Sequence, residues 1–296
     1  MAVSSGGVRR VGLGSAPPSL LVLLGILSVQ IGAGFAKNLF GTLPPSALVV
    51  LRLATSAVVV GVMARKGLRG LRENHSRTDL AWAAALGLSL ALMNFSIYQS
   101  IQQIPLGVAV TIEFLGPLLV AVVSSRRALD LVWAALALLG VLLLARGGGD
   151  VTVQGVLWAM LAGAGWAAYI VASAATGKRI PGTTGLALAS IVGTFAVLPL
   201  GVGAVAADGG WSVLTPHVLM IGVLVGLLSS VVPYTLELEA LRRIPPRVFG
   251  ILMALEPAVA ALVGVVLLGE VLSALQWLAI CAVIAACLGA TRTTKA

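Results

Sequence analysis

Residues 101–123 read IQQIPLGVAVTIEFLGPLLVAVV, and residues 241–263, which lie 140 positions later, read LRRIPPRVFGILMALEPAVAALV. Seven of the 23 aligned positions are identical, and they include two proline pairs, Pro105/Pro245 and Pro117/Pro257. Apolar composition alone accounts for several of the matches, but paired prolines are not expected in helix-forming sequence. The two stretches therefore predict an internal repeat.

The composition of the chain is that of a membrane protein. Of its 296 residues, 59% are AVILMFWYC and only 10% are charged, and a further 35 are glycine. A soluble domain has about 45–50% apolar residues, glycine included, and about 25% charged residues. So few charges cannot keep a soluble surface dispersed in water. A soluble enzyme and a disordered chain are both excluded.

Ten apolar stretches are long enough to cross a bilayer as helices, for which about 20 residues are needed. They lack the alternation with period two that is typical of membrane barrel strands. The ten stretches are residues 19–40, 45–64, 80–99, 105–124, 128–145, 154–176, 183–205, 215–236, 246–266 and 272–290. We therefore expect an all-α polytopic membrane protein with ten transmembrane helices.

The repeat divides these spans into two sets of five, because the repeated segments are the fourth and the ninth span. The two copies would cover residues 19–146 and 154–291, between an N-terminal tail of residues 1–18 and a C-terminal tail of residues 292–296. Since five is an odd number, the second copy crosses the membrane in the opposite direction. Inverted repeats with proline-interrupted helices are typical of secondary transporters, whose site lies near the membrane midplane.

The positive charges predict the orientation of the spans. If both termini are cytoplasmic, 16 of the 19 Lys and Arg residues lie on the cytoplasmic side, Arg146 alone lies outside, and Lys37 and Arg52 lie within spans. Cytoplasmic loops of membrane proteins carry such an excess of positive charge. Topology therefore explains the net charge of +9, and no nucleic-acid partner is expected.

Two carboxylates within spans are candidate functional residues, because inserting such a charge costs about 2.5–3.5 kcal/mol. Glu113 and Glu256 lie near the midplane of the two repeated spans, close to Pro117 and Pro257. Each can be a protonated carboxyl bonded to the backbone carbonyl that its proline frees. The alternative is that each binds a proton or a substrate ammonium, and two carboxylates at similar depth favour this alternative.

Five further polar residues are candidates. Arg52 lies too deep in its span to reach the surface easily, so we expect it to pair or to contact substrate, whereas Lys37 is near the outer end of its span and can extend to the surface instead. Asn94, Tyr98 and Tyr169 can bind substrate or form interhelical hydrogen bonds.

Three carboxylates lie near the ends of spans. Glu237 is placed where the eighth span meets the cytoplasm, and we include it among the candidate substrate ligands. Asp130 and Glu270 open the fifth and tenth spans, where we expect each to stabilise the positive end of its own helix.

Motifs for nucleotide binding, metal binding and covalent catalysis are missing from the sequence. It has no P-loop, G-x-S-x-G, H-E-x-x-H or C-x-x-C, and both histidines fall outside the deep parts of the spans. We expect no cofactor, no metal and no enzymatic activity. The energy for transport would then come from a gradient of protons or of the substrate itself.

Several stretches carry a family resemblance. They are Ala36–Phe40, Leu51–Leu53, Met93–Phe95, Ser100–Gln102, Pro105–Leu118, Ser124–Arg127, Trp166–Ile170, Val232–Glu237, Met253–Pro257 and Leu268–Glu270. In these the chain resembles the EamA family of the drug/metabolite transporter superfamily, and within it the threonine/homoserine exporter branch. The resemblance implies an inner-membrane (plasma-membrane) exporter of small amino acids and related metabolites, driven by proton exchange.

A zwitterionic amino acid needs two opposite charges in its site, and the candidate residues supply both. Glu113 or Glu256 would hold the ammonium or exchange a proton for it, and Arg52, with Lys37 as the second choice, would hold the carboxylate. Pro117 and Pro257 would act as hinges for alternating access. A broad-specificity efflux carrier for drugs or toxic metabolites, with the same fold, is the alternative, although Phe, Trp and Tyr make up only 5% of the chain.

Overall fold

The computed structural model describes residues 16–69, 71–123, 128–146, 151–180, 182–207 and 210–293. These described residues form helices joined by short turns, and they contain no β-strand. The predicted segment Ser124–Arg127, most of the N-terminal tail, the end of the C-terminal tail and the side chain of Asp130 lie outside the description.

The helices of the N-terminal half run from residue 18 to residue 146. They are α1 (Pro18–Leu39), α2 (Pro45–Met63), α3 (Arg65–Arg69), α4 (Leu71–Asn74), α5 (Arg77–Ile101), α6 (Leu106–Glu113), α7 (Leu115–Val123) and α8 (Ala128–Arg146).

The helices of the C-terminal half run from residue 153 to residue 293. They are α9 (Val153–Gly177), α10 (Thr184–Ala207), a 3₁₀ turn (Gly210–Val213), α11 (Pro216–Gly226), a π-helical segment (Leu227–Val231), α12 (Val232–Leu241), α13 (Pro246–Met253), α14 (Glu256–Leu268) and α15 (Ala274–Thr293).

Eight of the predicted spans are confirmed as helices, or pairs of helices in line, that are long and apolar enough to cross a membrane. The other two predicted spans, the fifth and the tenth, fall on the shorter apolar helices Leu131–Leu144 and Ala274–Ala290. The chain is therefore a helical polytopic membrane protein, and the count of ten spans stays a prediction.

Prolines and a capping box set where several helices begin. Pro18, Pro45 and Pro216 occupy the first turns of α1, α2 and α11. A backbone N–H in the first turn has no partner within the helix, so a proline there costs no helical hydrogen bond. At the start of α5, the Ser76 hydroxyl accepts the Asp79 N–H and the Asp79 carboxylate accepts the Ser76 N–H.

The fourth and ninth spans are each broken into two helices. The first break separates α6, which ends at Glu113, from α7, and the second separates α13, which ends at Met253, from α14. Each break begins four residues before a proline, Pro117 or Pro257, as expected from the clash of a proline ring with the carbonyl of residue i−4. The paired prolines thus explain both breaks.

The helices pack into two groups, and the first helix of each half of the chain packs with the helices of the other half. The principal contacts of α1 are with α11, α12, α13, α14 and the π-helical segment, all in the C-terminal half, whereas those of α9 are with α5, α6 and α7. We call these groups the α11–α14 bundle, which includes α1, and the α5–α7 bundle, which includes α9. α2 packs against α10, and α8 packs against α15. A cavity lies between the two bundles.

Candidate substrate cavity

The cavity has a volume of about 510 Å³ and is lined by helices of both bundles and by α2 and α15. Its polar lining residues are Gln30, Arg52, Asn94, Tyr98, Glu113, Trp166, Tyr169, Ser229, Tyr234, Glu237 and Glu256. Seven of the eight predicted substrate ligands are thus brought to one space. The exception is Lys37.

The two ends of the cavity differ. At one end, which we call the closed end, the lining residues Ile101 and Leu106 are fully buried. At the other, which we call the open end, the lining includes Leu241, which is 40% exposed, and the partly exposed residues Phe249 and Gly250. Among the described residues, the lining is therefore buried at the closed end and partly exposed at the open end.

Arg52 is the cation of the cavity, and the π-helical segment holds it in place. Its Nε donates to Ser230 Oγ (3.3 Å), its Nη2 donates to the Ser229 carbonyl (2.9 Å), and its guanidinium carbon lies 5.6 Å from the centroid of the Tyr98 ring. No carboxylate lies within ion-pair distance of Arg52 in the described part of the chain. Its remaining N–H groups can bind an anionic ligand.

Glu113 is the last residue of α6 and faces the cavity at the break in the fourth span. It is 7% exposed, and within the described residues its carboxylate has neither a hydrogen bond nor an ion pair. The C-terminal end of a helix carries partial negative charge, which attracts cations. The position is suited to binding an ammonium group or a proton.

Glu256 lies in the first turn of α14 and pairs with a residue that the sequence did not single out. Gln30 Nε2 donates to Glu256 Oε1 at 3.0 Å, and both residues are buried. The only sequence signal for Gln30 was an amide in an apolar run, and a neutral amide costs little enough in a helix bundle to pass unnoticed.

Several buried polar atoms at the cavity have no hydrogen-bond partner. These atoms are Gln30 Oε1, Asn94 Oδ1, Tyr98 OH, Ser229 Oγ and Glu256 Oε2. Leaving a buried polar atom unsatisfied costs about 1–3 kcal/mol, and folded proteins satisfy nearly all such atoms. Five of them around one cavity indicate a site that is completed by a polar ligand or by water.

Glu237 lines the cavity together with Tyr169 and Tyr234. It packs against α1 at Gly25. The nearby Glu239 is different, because it forms ion pairs with Arg242 and Arg243. Glu237 is therefore the member of this acidic pair that faces the cavity.

Lys37 does not line the cavity, so the structure places it apart from the predicted carboxylate site. Its ammonium donates to Glu270 Oε1 (2.7 Å) and to the Ile104 carbonyl (2.9 Å). The expectation for Glu270 is also corrected. Its carboxylate accepts the N–H of Leu106 at 2.9 and 3.1 Å and so caps α6, because its own helix begins only at Ala274.

Broken apolar helices around a polar cavity that opens on one side define a multi-pass membrane protein of the transporter class. Comparison with known proteins agrees with this assignment. Residues 153–292 match the EamA-like transporter family. The chain is 40% identical, over 94% of its length and 92% of the relative's, to the threonine/homoserine exporter RhtA of Salmonella typhimurium strain LT2.

The corresponding RhtA of Escherichia coli K12 is 39% identical over the same shares of the two chains. A solved structure described as "Crystal structure of protein" is similar with a TM-score of 0.60, at 20% identity, over 93% of this chain and 95% of that one. This last similarity shows the fold alone. The chain belongs to the EamA-like transporter family, in the threonine/homoserine exporter-like branch.

Proposed function

We propose that the protein is a secondary active transporter that exports small amino acids, of the threonine and homoserine kind, across the plasma (inner) membrane in exchange for protons. The observation that carries the proposal is the cavity in which Arg52 faces the carboxylates of Glu113, Glu237 and Glu256. The names of the relatives, which are threonine/homoserine exporters, support the substrate class.

The two kinds of charge in the cavity match the two ends of a zwitterion. The free N–H groups of Arg52 would bind the substrate carboxylate, and Glu113 or Glu256 would bind its ammonium. Asn94, Tyr98 and Tyr169 would add hydrogen bonds, and the unsatisfied oxygens of Asn94 and Tyr98 support this role.

Proton exchange follows from the cost of a bare carboxylate in the membrane. A buried ionised carboxyl without a partner is strongly unfavourable, and either a proton or an ammonium group removes the cost. If the proton and the ammonium compete for the carboxylates of one cavity, a cavity that takes a proton on the outer face releases its ammonium there. That competition is the basis of antiport.

Alternating access would come from the two repeats, as inverted units of five spans over residues 19–146 and 154–291. The helix bounds support the repeat, because α6 and α13 begin and end at positions that differ by 140, and so do the ends of α5 and α12. The breaks near Pro117 and Pro257 would be the hinges. With both termini in the cytoplasm, the open end would face the cytoplasm and receive the substrate to be exported.

A second candidate is a broad-specificity efflux carrier. The cavity lining includes the apolar side chains of Leu118, Phe249 and Met253, and a methionine can adapt to ligands of different shapes. Such a surface would accept ligands larger than threonine.

Counterflow in proteoliposomes tests the proposal. Vesicles are preloaded with unlabelled threonine, with homoserine or with a drug mixture, and the entry of labelled threonine is followed. Faster entry with either amino acid inside is the expected result. Entry that neither amino acid stimulates, together with drug-dependent fluxes, would refute amino-acid transport in favour of the broader carrier.

A further inference from the structure

The turn between α5 and α6 is held from both sides at the closed end of the cavity. Lys37 Nζ donates to the carbonyl of Ile104 at 2.9 Å, and the Glu270 carboxylate accepts the N–H of Leu106 at 2.9 and 3.1 Å. Lys37 and Glu270 also bind each other at 2.7 Å. The lysine, the glutamate and the turn thus form a closed set of charge-assisted hydrogen bonds, which we call the clasp.

The clasp joins the two bundles. Ile104 and Leu106 belong to the α5–α7 bundle, whereas Lys37 lies on α1 and Glu270 follows α14, both of the other bundle. The Lys37–Glu270 ion pair is therefore internal to one bundle, and only the bonds to the turn cross between bundles. Glu270 fits closely in this position, because a Cβ on Gly264 would lie 2.2 Å from its Oε2.

The clasp lies directly over the cavity. The side chain of Leu106, whose N–H binds Glu270, is a fully buried lining residue at the closed end. Separation of the bundles at this end would pull the turn away from Lys37 and Glu270 and break both sets of bonds. We propose that the clasp is the gate at the closed end, and that its release is required for the cavity to open there. This inference rests on the alternating access of the proposed function.

The sequence allows the Glu270 bond of the clasp at only one of the two equivalent turns. The corresponding turn of the second repeat is Ile244-Pro245-Pro246, so proline stands at the position of Leu106. A proline has no N–H to donate, and the bond that Glu270 accepts has no counterpart at the open end. The clasp therefore favours the state that is closed at the Leu106 end, which is the state that the structure shows.

Thiol labelling from each side of the membrane tests the gate. The two native cysteines are replaced (Cys281→Ala and Cys287→Ala), and Val110→Cys places one thiol on the cavity wall one turn below Leu106. Val271→Cys, in a 90% exposed position beside Glu270, serves in a separate variant to mark the side to which the closed end faces. A charged, membrane-impermeant reagent is then applied to right-side-out and to inverted vesicles.

In the otherwise unchanged protein, the thiol of Val110→Cys is expected to react quickly with reagent added on the side of the open end and slowly with reagent added on the Val271 side. Lys37→Met removes the donor to Ile104 and the partner of Glu270. A hydrogen bond to a charged group contributes enough for its loss to change the ratio of the two states about tenfold to a hundredfold. The labelling rate from the Val271 side should rise by a factor in that range.

Two further variants separate the clasp from a merely structural ion pair. Leu106→Pro removes the N–H and replaces the buried leucine side chain by a smaller ring, at a first helical position that accepts proline, and it reproduces the Pro-Pro sequence of the second repeat. The double variant Lys37→Glu/Glu270→Lys restores an ion pair, but the carboxylate at position 37 cannot donate to Ile104 and the ammonium at position 270 cannot accept from Leu106. Both are expected to raise labelling from the Val271 side.

Arg179→Met is the matched control, because the Arg179–Asp79 ion pair joins the turn that follows α9 to α5, within one bundle. It should leave the labelling rate unchanged. The gate is refuted if the charge-exchanged variant, or all three clasp variants, are labelled from the Val271 side at the rate of the otherwise unchanged protein. It is also refuted if Arg179→Met raises that labelling rate as much as the clasp variants do. Labelling needs no transported substrate, so failure of the gate and failure of amino-acid counterflow are separate results.

Discussion

Removing the cation of the cavity should weaken binding of the substrate carboxylate much more than binding of the rest of the substrate. Arg52→Met deletes the guanidinium but keeps a long apolar side chain against Tyr98. Arg52 is 8% exposed and holds two groups of the π-helical segment, so the substitution also has a structural cost. A pair of ligands that differ only in the carboxylate separates these two effects.

The magnitude follows from the burial of the site. Truncating one partner of a buried, hydrogen-bonded charge pair costs about 2–5 kcal/mol. At about 1.4 kcal/mol for each factor of ten, threonine affinity should fall roughly 30-fold to several thousand-fold. The bonds to Ser229 and Ser230 are lost whatever ligand is present, and their loss should affect all ligands alike. Arg52→Lys keeps the charge but has fewer donors, so its threonine affinity should lie between those of the unchanged protein and Arg52→Met.

The assay compares threonine with 1-aminopropan-2-ol, which has the same ammonium and hydroxyl but no carboxylate. Binding of both is measured by calorimetry in detergent, on protein that elutes as a single species. Arg52→Met should weaken threonine binding by the factor given above and change binding of the amino alcohol little. Equal losses for the two ligands would show that Arg52 only supports the π-helical segment, and the reasoning about a carboxylate site would be wrong.

Three other substitutions test separate parts of the structure. Gly116→Ala should lower the melting temperature, because its Cβ would collide with the Gly163 carbonyl of α9 and overpacking costs about 1–3 kcal/mol. Gly177→Ala is the control and should leave the melting temperature unchanged, because Gly177 has open space around it. Gln30→Leu should weaken threonine binding about tenfold by removing the donor to Glu256, and a calorimetric affinity equal to that of the unchanged protein would exclude this role. Val271→Cys should react with an impermeant thiol reagent from outside the cell, and reaction only in inverted vesicles would reverse the predicted orientation.

The bounds of most helices could be predicted from the sequence because bilayer thickness and proline geometry fix them. The predicted first span, residues 19–40, is the helix Pro18–Leu39, and the sixth, residues 154–176, is Val153–Gly177. The exchange of α1 and α9 between the bundles could not be predicted. Apolar faces in a membrane protein all look alike in sequence, and the choice of neighbour depends on close contacts such as Gly116 with Gly163.

The candidate site could be predicted to a similar extent. Arg52, Glu113 and Glu256 converge on one cavity because a charge within a span must avoid lipid. Lys37 follows the same rule but satisfies it with Glu270, 233 residues away, and no spacing in the sequence indicates so distant a partner. Gln30 was missed because a neutral amide is cheap to bury in a helix bundle.

Glu113 and Glu256 lie at opposite ends of their helices, and this difference supports different roles for the two. At the repeat offset of 140, Glu113 corresponds to Met253 and Glu256 corresponds to Gly116, so the carboxylates are not equivalents of each other. Glu113 ends α6, where the helix dipole opposes a carboxylate, whereas Glu256 begins α14, where the dipole and the Gln30 amide both favour one.

We infer that Glu256 holds the substrate ammonium, while Glu113 takes and releases the proton. Glu113→Gln should then retain threonine counterflow but lose acceleration of export by a pH gradient, because the amide cannot bind a proton in its place. Glu256→Gln should lower threonine affinity while the gradient still accelerates what transport remains. Export by both variants is measured in vesicles with and without an imposed gradient, and Glu239→Gln, outside the cavity, is the control. If Glu256→Gln were the variant that lost the gradient dependence, the roles of the two carboxylates would have to be exchanged.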